Sequence, residues 1–408
     1  MSNIPQILAF PFYVFAFQRN KIFLNKNHAP WFSQTLNLSA LRMSIGHRQW
    51  LKLVCRGHLS ILLMQKLIGS SNQMRHCEFR LILAIMSQGN FVGLKDTIPT
   101  RVFTQRFGCD RIRSMAFHPS EPIFVLGSYM NKLYLCKDTT CVSTLQGHGH
   151  VVNSVAFHPS EPYIASSSSD GFLKLWQLNE DCSDAKCIYT IQRHGGCILS
   201  VAFHPSAPYL ATGGSDETAK LWLMNADCSA LRCVSTLEGH SSFVTSVAFH
   251  PSAQYLMTCS VDRTAKLWLL NADCSVATCV STLQGHKNTV WFAAFHPYAP
   301  IIATCSKDCT VKLWLLNADT MSVTCVSTLL GHSDHVISAE FHESGLILAT
   351  CSSDNTAKLW LLNANCSSAT CVKTFQDHSN SVNSVAFPPF NPSVLATCSD
   401  DYTIKFWE

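Results

Sequence analysis

The sequence predicts an all-β protein: a seven-bladed β-propeller of four-stranded antiparallel blades, closed by an N-terminal strand and preceded by a small basic helical extension. Three observations carry this expectation. One segment recurs at a fixed step, each copy reads as four short strands, and the last copy lacks a strand that a stretch upstream of the first can supply.

The segment LQGHGHVVNSVAFHPSEPYIASSSSDGFLKLW, residues 145–176, recurs five more times. The histidine that opens each unit falls at His148, His194, His240, His286, His332 and His378, always 46 residues apart. A fixed period of this size marks a unit that buries its faces by stacking on copies of itself. The closing tryptophan falls at Trp176, Trp222, Trp268, Trp314, Trp360 and Trp407, the last step being 47 because PPFNPSV lengthens one loop. A degenerate copy, RIRSMAFHPSEPIFVLGSYMNKLYLC, runs from 111 to 136 ahead of them. Counting closing positions at 136, 176, 222, 268, 314, 360 and 407 gives seven blades within residues 99–408.

In the copy at His240, VTSVAF alternates, HPSAQ turns, YLMTCS is a small apolar strand, VDR is a tight turn and TAKLWLL alternates again. NADCSVA then leads into TCVSTL, the fourth strand. Runs of about six residues between turn signals satisfy the criteria for strands and hairpins. One such sheet cannot bury both faces alone, so the units pack face to face around an axis. The seventh blade ends at its tryptophan, and TRVFTQ (100–105) lies 40 residues before TCVSTLQ, in the register of a fourth strand. Pairing the two closes the ring and removes exposed strand edges, which otherwise promote aggregation.

These residues resemble the WD-repeat (WD40) family of β-propellers: a GH pair, a small-residue strand, an Asp tight turn and a strand ending in Trp. The resemblance covers about 310 of the 408 residues. The WD dipeptide itself is missing, since Gln177, Leu223, Leu269, Leu315, Leu361 or Glu408 follows each tryptophan.

Each copy also carries His, Ser or Thr, Asp and Trp at fixed offsets. The sets are His148, Ser166, Asp170 and Trp176; His194, Thr212, Asp216 and Trp222; and His240, Thr258, Asp262 and Trp268. They continue with His286, Thr304, Asp308 and Trp314; His332, Thr350, Asp354 and Trp360; and His378, Thr397, Asp401 and Trp407. Such types can build a hydrolase triad, but an enzyme needs one constellation in a cleft rather than one per blade. The pattern reads as a buried hydrogen-bond network in which Asp accepts from His, His from the hydroxyl, and the hydroxyl from the indole N–H. In the degenerate copy Gly108, Leu126, Met130 and Cys136 replace all four members together.

Four C-x4-C pairs, Cys182/Cys187, Cys228/Cys233, Cys274/Cys279 and Cys366/Cys371, fall between the third and fourth strands. A hairpin centred between residues 230 and 231 would oppose Cys228 to Cys233, so cross-strand disulfides and reduced thiols are both open. Two thiols per hairpin cannot complete a zinc site, and the HP histidines His158, His204, His250 and His296 read as turn residues of the repeat. No metal and no cofactor is expected.

Repeat proteins bind through positions at which the copies differ. Those flanking the start of each first strand are Arg111/Arg113, Val151/Asn153, Cys197/Leu199, Phe243/Thr245, Thr289/Trp291, His335/Ile337 and Ser381/Asn383. The residue before each turn Asp varies as well: Ser169, Ser215, Val261, Lys307, Ser353 and Asp400. In WD-repeat proteins the matching positions surround the channel mouth and commonly contact peptides. The resemblance therefore implies an apolar arc of Leu199, Phe243, Trp291 and Ile337, with Arg111, Arg113, Lys307 and His335 adding polar contacts. Trp and Arg are the types most often found as binding hot spots.

Residues 1–98 hold 11 Lys/Arg against 2 Asp/Glu, whereas residues 99–408 hold 19 against 24, so the overall charge of +4 conceals a basic front and an acidic ring. Charged residues make up 14% and AVILMFWYC 47%, which excludes a wholly disordered chain. No run reaches the roughly 20 apolar residues that span a bilayer. Apolar periodicity suggests short helices around 47–68 and 75–87, and WLKLVCRGH (50–58) resembles the late part of an F-box without its Leu-Pro opening. The expectation is a non-enzymatic cytoplasmic or nuclear scaffold that binds other proteins at the propeller's top face, monomeric or within a larger complex. The alternatives are a substrate receptor of a ubiquitin ligase that docks its adaptor through the N-terminus, and an RNA-associated or ribosome-assembly factor. Only the basic 1–98 segment could attract nucleic acid.

Overall fold

The computed structural model describes residues 102–192, 194–225, 230–271, 274–317 and 319–408, together with the backbone of three N-terminal strands. Those strands, Ile7–Phe10, Tyr13–Gln18 and Lys21–Asn25, form an antiparallel sheet in sequence order within a unit spanning Met1–Gly89. The sequence reading did not anticipate this meander. The expected helices at 47–68 and 75–87 and the F-box-like segment lie outside the described residues.

The second unit, Asn90–Glu408, contains seven four-stranded antiparallel sheets, confirming the seven-bladed propeller. Each blade runs from an innermost strand a to an outermost strand d, as in Val244–Phe249, Tyr255–Ser260, Ala265–Leu270 and Ala277–Leu283 of blade four. Strand b is buried on both faces, which explains its run of small apolar residues in place of alternation. Strand d is mostly half-buried or exposed, as the pattern of Ala277–Leu283 shows. Side chains from facing blades fill the clefts between them; one such cluster joins Met257, Leu267 and Val290 to Ile302 and Trp314.

Closure occurs where the sequence places it. Val102–Arg106 pairs antiparallel with Thr403–Trp407, from Trp407↔Val102 to Thr403↔Arg106, as the fourth strand of blade seven. Phe124 of blade one and Phe406 of blade seven meet across the seam with ring centroids 5.7 Å apart.

The tight turn between strands b and c is uniform around the ring. The residue after the turn aspartate, or after Met130 at the equivalent position of blade one, adopts a positive φ: Asn131, Gly171, Glu217, Arg263, Cys309, Asn355 and Tyr402. Only one of the seven is glycine, so six side chains occupy a region that L-residues rarely visit. In blade four the Asp262 carboxylate holds the turn by accepting from the Thr264 amide at 2.9 Å and the Thr264 hydroxyl at 2.7 Å.

Candidate functional site

The buried network forms in all six blades that carry its residues. In blade four His240 Nδ1 donates to Asp262 at 2.7 Å, and the Thr258 hydroxyl donates to His240 Nε2 at 2.7 Å. Trp268 Nε1 donates to that hydroxyl at 2.9 Å. The same three bonds recur in the sets beginning at His148, His194, His286, His332 and His378. The central hydroxyls of Ser166, Thr212, Thr258, Thr304, Thr350 and Thr397 are fully buried, so a substrate has no path to them. Although burial opposes it, the hydrogen bonds hold the carboxyl of Asp308 down at about 2, ionised at neutral pH.

Blade one corrects the reading that its network is simply deleted. Asp110 is buried, accepting from Tyr134 Oη at 2.8 Å and from the Met130 amide at 3.1 Å. The carboxylate now comes from the loop before strand a and reaches across to the b–c turn, the reverse of the other blades. Tyr134 stands where other copies have lysine, so offset matching from the repeat could not reveal this substitute.

Two of the HP histidines, read as plain turn residues, donate across to the next blade: His204 to the Ala253 carbonyl at 3.3 Å, and His296. His296 Nδ1 accepts from the amides of Tyr298 and Ala299, which leaves its Nε2–H to donate to the Gly345 carbonyl of the next blade at 2.8 Å. A Cβ on Gly345 would lie 2.6 Å from that ring, and φ is +71° there, so the approach needs glycine. His342 makes the matching bond to the Pro392 carbonyl at 3.0 Å.

The hairpin cysteines also differ from the expected geometry. The second cysteine of each pair lies opposite the tryptophan: Trp176↔Cys187, Trp222↔Cys233, Trp268↔Cys279 and Trp360↔Cys371. The first sits in the c–d loop with positive φ at Cys182, Cys274 and Cys366, so these pairs are not opposed across the hairpin. Cys274 and Cys366 are buried, with Sγ 3.7 and 3.8 Å from His204 Nε2 and His296 Nε2. Among the described residues no group of three or more His, Cys, Asp or Glu could hold a metal ion.

The two sets of variable positions lie side by side on one face. In all seven blades the residue before the turn's aspartate position donates its amide to the carbonyl of the residue before strand a. Val261 bonds Phe243, Lys307 bonds Thr289, and Ser353 bonds His335. Blade one joins in through Tyr129 and Arg111.

The inner row of these positions, one residue inside strand a, divides by chemistry. Asn153, Thr245 and Asn383 each bond the first carbonyl of the neighbouring strand a, at Ile198, Val290 and Ile112. Those three residues stitch the ring. The whole row lines the central cavity of about 640 Å³, and Arg113, Leu199, Trp291 and Ile337 do so without such a bond. Trp291 Nε1 is buried with no hydrogen-bond partner. Arg113, Trp291, His335 and Ile337 also border a cavity of about 280 Å³ at the mouth, with Ser381 and Asp400. Phe243, 48% exposed, and Lys307 and Arg111 lie outside both cavities.

One channel residue escaped the sequence reading. Glu340 lines the central cavity at a row that is alanine in the other six blades: Ala116, Ala156, Ala202, Ala248, Ala294 and Ala386. Burial pushes its carboxyl up to about 8, only partly opposed by a hydrogen bond from the Phe387 backbone. Comparing copies over the whole of strand a, rather than only at its start, would have singled it out.

Six segments of the chain match the family model described as WD domain, G-beta repeat: residues 139–177, 185–222, 231–268, 277–314, 323–360 and 369–408. Each match opens near strand d of one blade and ends with strand c of the next, so the repeat unit interlocks neighbouring blades. The first three strands of blade one lie outside the matches, consistent with its altered network. No curated protein matches the chain.

Proposed function

The chain belongs to the WD40 family, and from that premise we propose a non-enzymatic scaffold that holds a protein partner at the channel mouth through Arg113, Trp291, His335 and Ile337. Propellers of this family are typically platforms for protein–protein interaction. The observation that carries the narrower reading is the division of the inner row. All seven line the cavity; three of them are committed to bonds between blades, and the other four carry no such bond.

The chemistry of that surface suits a peptide segment. The Arg113 guanidinium at the mouth can donate to a carbonyl or carboxylate. Ile337 and the face of Trp291 offer apolar area, and buried aromatic and Arg anchors carry much of the energy at such interfaces. Leu199, Phe243, Lys307 and Arg111 would extend the contact along the channel wall and the rim.

The reading is tested by affinity capture with the full chain and its Trp291→Ala variant, with identified partners compared and thermal unfolding of both followed. Loss of a partner at an unchanged unfolding midpoint supports the mouth. Retention of every partner contradicts it.

A further inference from the structure

Blade one differs from the others at its closing position. Its c and d strands are joined by the two-residue turn at 138–139, flanked by the pair Lys137↔Thr140, with Asp138 at φ 54°. The shorter connection moves a C-x4-C spacing into the strands themselves, so that Cys136 lies directly opposite Cys141. Five other blades set a tryptophan against the equivalent cysteine.

Opposed residues of an antiparallel pair carry Cβ atoms about 4.5–5.5 Å apart on one face. A disulfide needs about 3.5–4.5 Å between Cβ atoms, so a small approach of the two strands suffices. The environments are complementary. Cys136 is fully buried, whereas Cys141 is exposed. The neighbouring sulfur lowers Cys141 to about 7 and pushes Cys136 up. A substantial fraction of Cys141 is then thiolate at neutral pH, and the thiolate is the reactive form.

We propose that Cys136 and Cys141 are a redox-active pair, oxidised by peroxide to a cross-strand disulfide that staples the one blade lacking the tryptophan network. The Cys141 thiolate attacks one peroxide oxygen, forming an S–O bond as the O–O bond breaks and hydroxide leaves. The Cys136 sulfur then attacks the Cys141 sulfenic acid, forming the S–S bond and expelling the second oxygen as water. Two thiols and one hydrogen peroxide give one disulfide and two waters, a balanced two-electron oxidation of sulfur. Burial leaves Cys136 without access to solvent oxidant, so it serves as the resolving thiol. The exposed cysteines of other blades, Cys233, Cys279, Cys325 and Cys371, face indole rings and have no thiol opposite them.

Trypsin separates the pair unambiguously, because residues 133–137 contain only Cys136 and residues 138–174 contain only Cys141. The full chain is treated with equimolar hydrogen peroxide, denatured, alkylated, digested and analysed by mass spectrometry. The expected result is a linked 133–137/138–174 species that dithiothreitol abolishes. Recovery of Cys141 as sulfinic acid or bonded elsewhere, with Cys136 alkylated, overturns the proposal. As a second readout, oxidation should raise the thermal midpoint of the wild-type chain and leave that of Cys141→Ser unchanged; an equal response in both contradicts the staple.

Discussion

Asn383 of blade seven donates its side-chain amide to the carbonyl of Ile112 in blade one at 2.8 Å, a hydrogen bond between residues 271 positions apart. It complements the closing strand: Val102–Arg106 seals the outer edge of blade seven, and Asn383 ties the inner edges of the first and last blades. Asn383→Ala should cost about 1–3 kcal/mol by leaving a buried carbonyl without its partner. Denaturant unfolding of the variant against Ile337→Ala, a position in the same row without such a bond, checks this. A smaller loss for Asn383 than for Ile337 would contradict the stitching role.

Thr258 is the bridge of its blade's network, donating to His240 and accepting from Trp268. Thr258→Val keeps the shape and strands both ring nitrogens, at about 1–3 kcal/mol for each group left unpaired. Thr258→Ser retains the hydroxyl and should lose markedly less. Thermal unfolding of the two variants measures the difference.

The network was readable in the sequence because six copies at one spacing made its four residues stand out, and strand order followed from the same periodicity. The inner row was found by the same rule. What the sequence could not supply was which of its members bond across blades, since Asn153 and Leu199 differ in use only once Ile198 is placed beside them. The Asp110–Tyr134 pair was hidden because Tyr134 stands at an offset that the other copies fill with lysine, and the Cys136/Cys141 opposition because blade one's shorter hairpin breaks the alignment with its neighbours.

Acid should weaken the ring through its inter-blade histidines. His296 must stay neutral because Nδ1 accepts two amides, and burial lowers both His296 and His250 to about 4. The unfolded value is about 6.5. The folded state thus binds fewer protons, so this stability is fully present above 6.5 and is lost as pH falls through 4. Unfolding temperatures at pH 7, 5.5 and 4 should decline stepwise, and His296→Asn should flatten part of the decline. An unchanged slope in the variant would exclude His296 as a cause.

Glu340 works in the opposite direction. Its carboxyl is raised to about 8 in the fold, so the folded state holds a proton that the unfolded chain releases from about 4.5 upward. Its contribution is therefore favourable below that value and is lost as pH rises through 8. Glu340→Gln should raise the unfolding temperature at pH 8 and change it little at pH 4.5. A variant less stable than wild type at pH 8 would contradict this reading.

The most direct test of the channel mouth as the partner site is photo-crosslinking from position 291 against position 252, which lies in an a–b turn of the propeller. With a photoreactive side chain at each position in turn, covalent adducts with a captured partner are expected from 291 and not from 252. Adducts from 252 alone, or equal yields from both, would contradict the account.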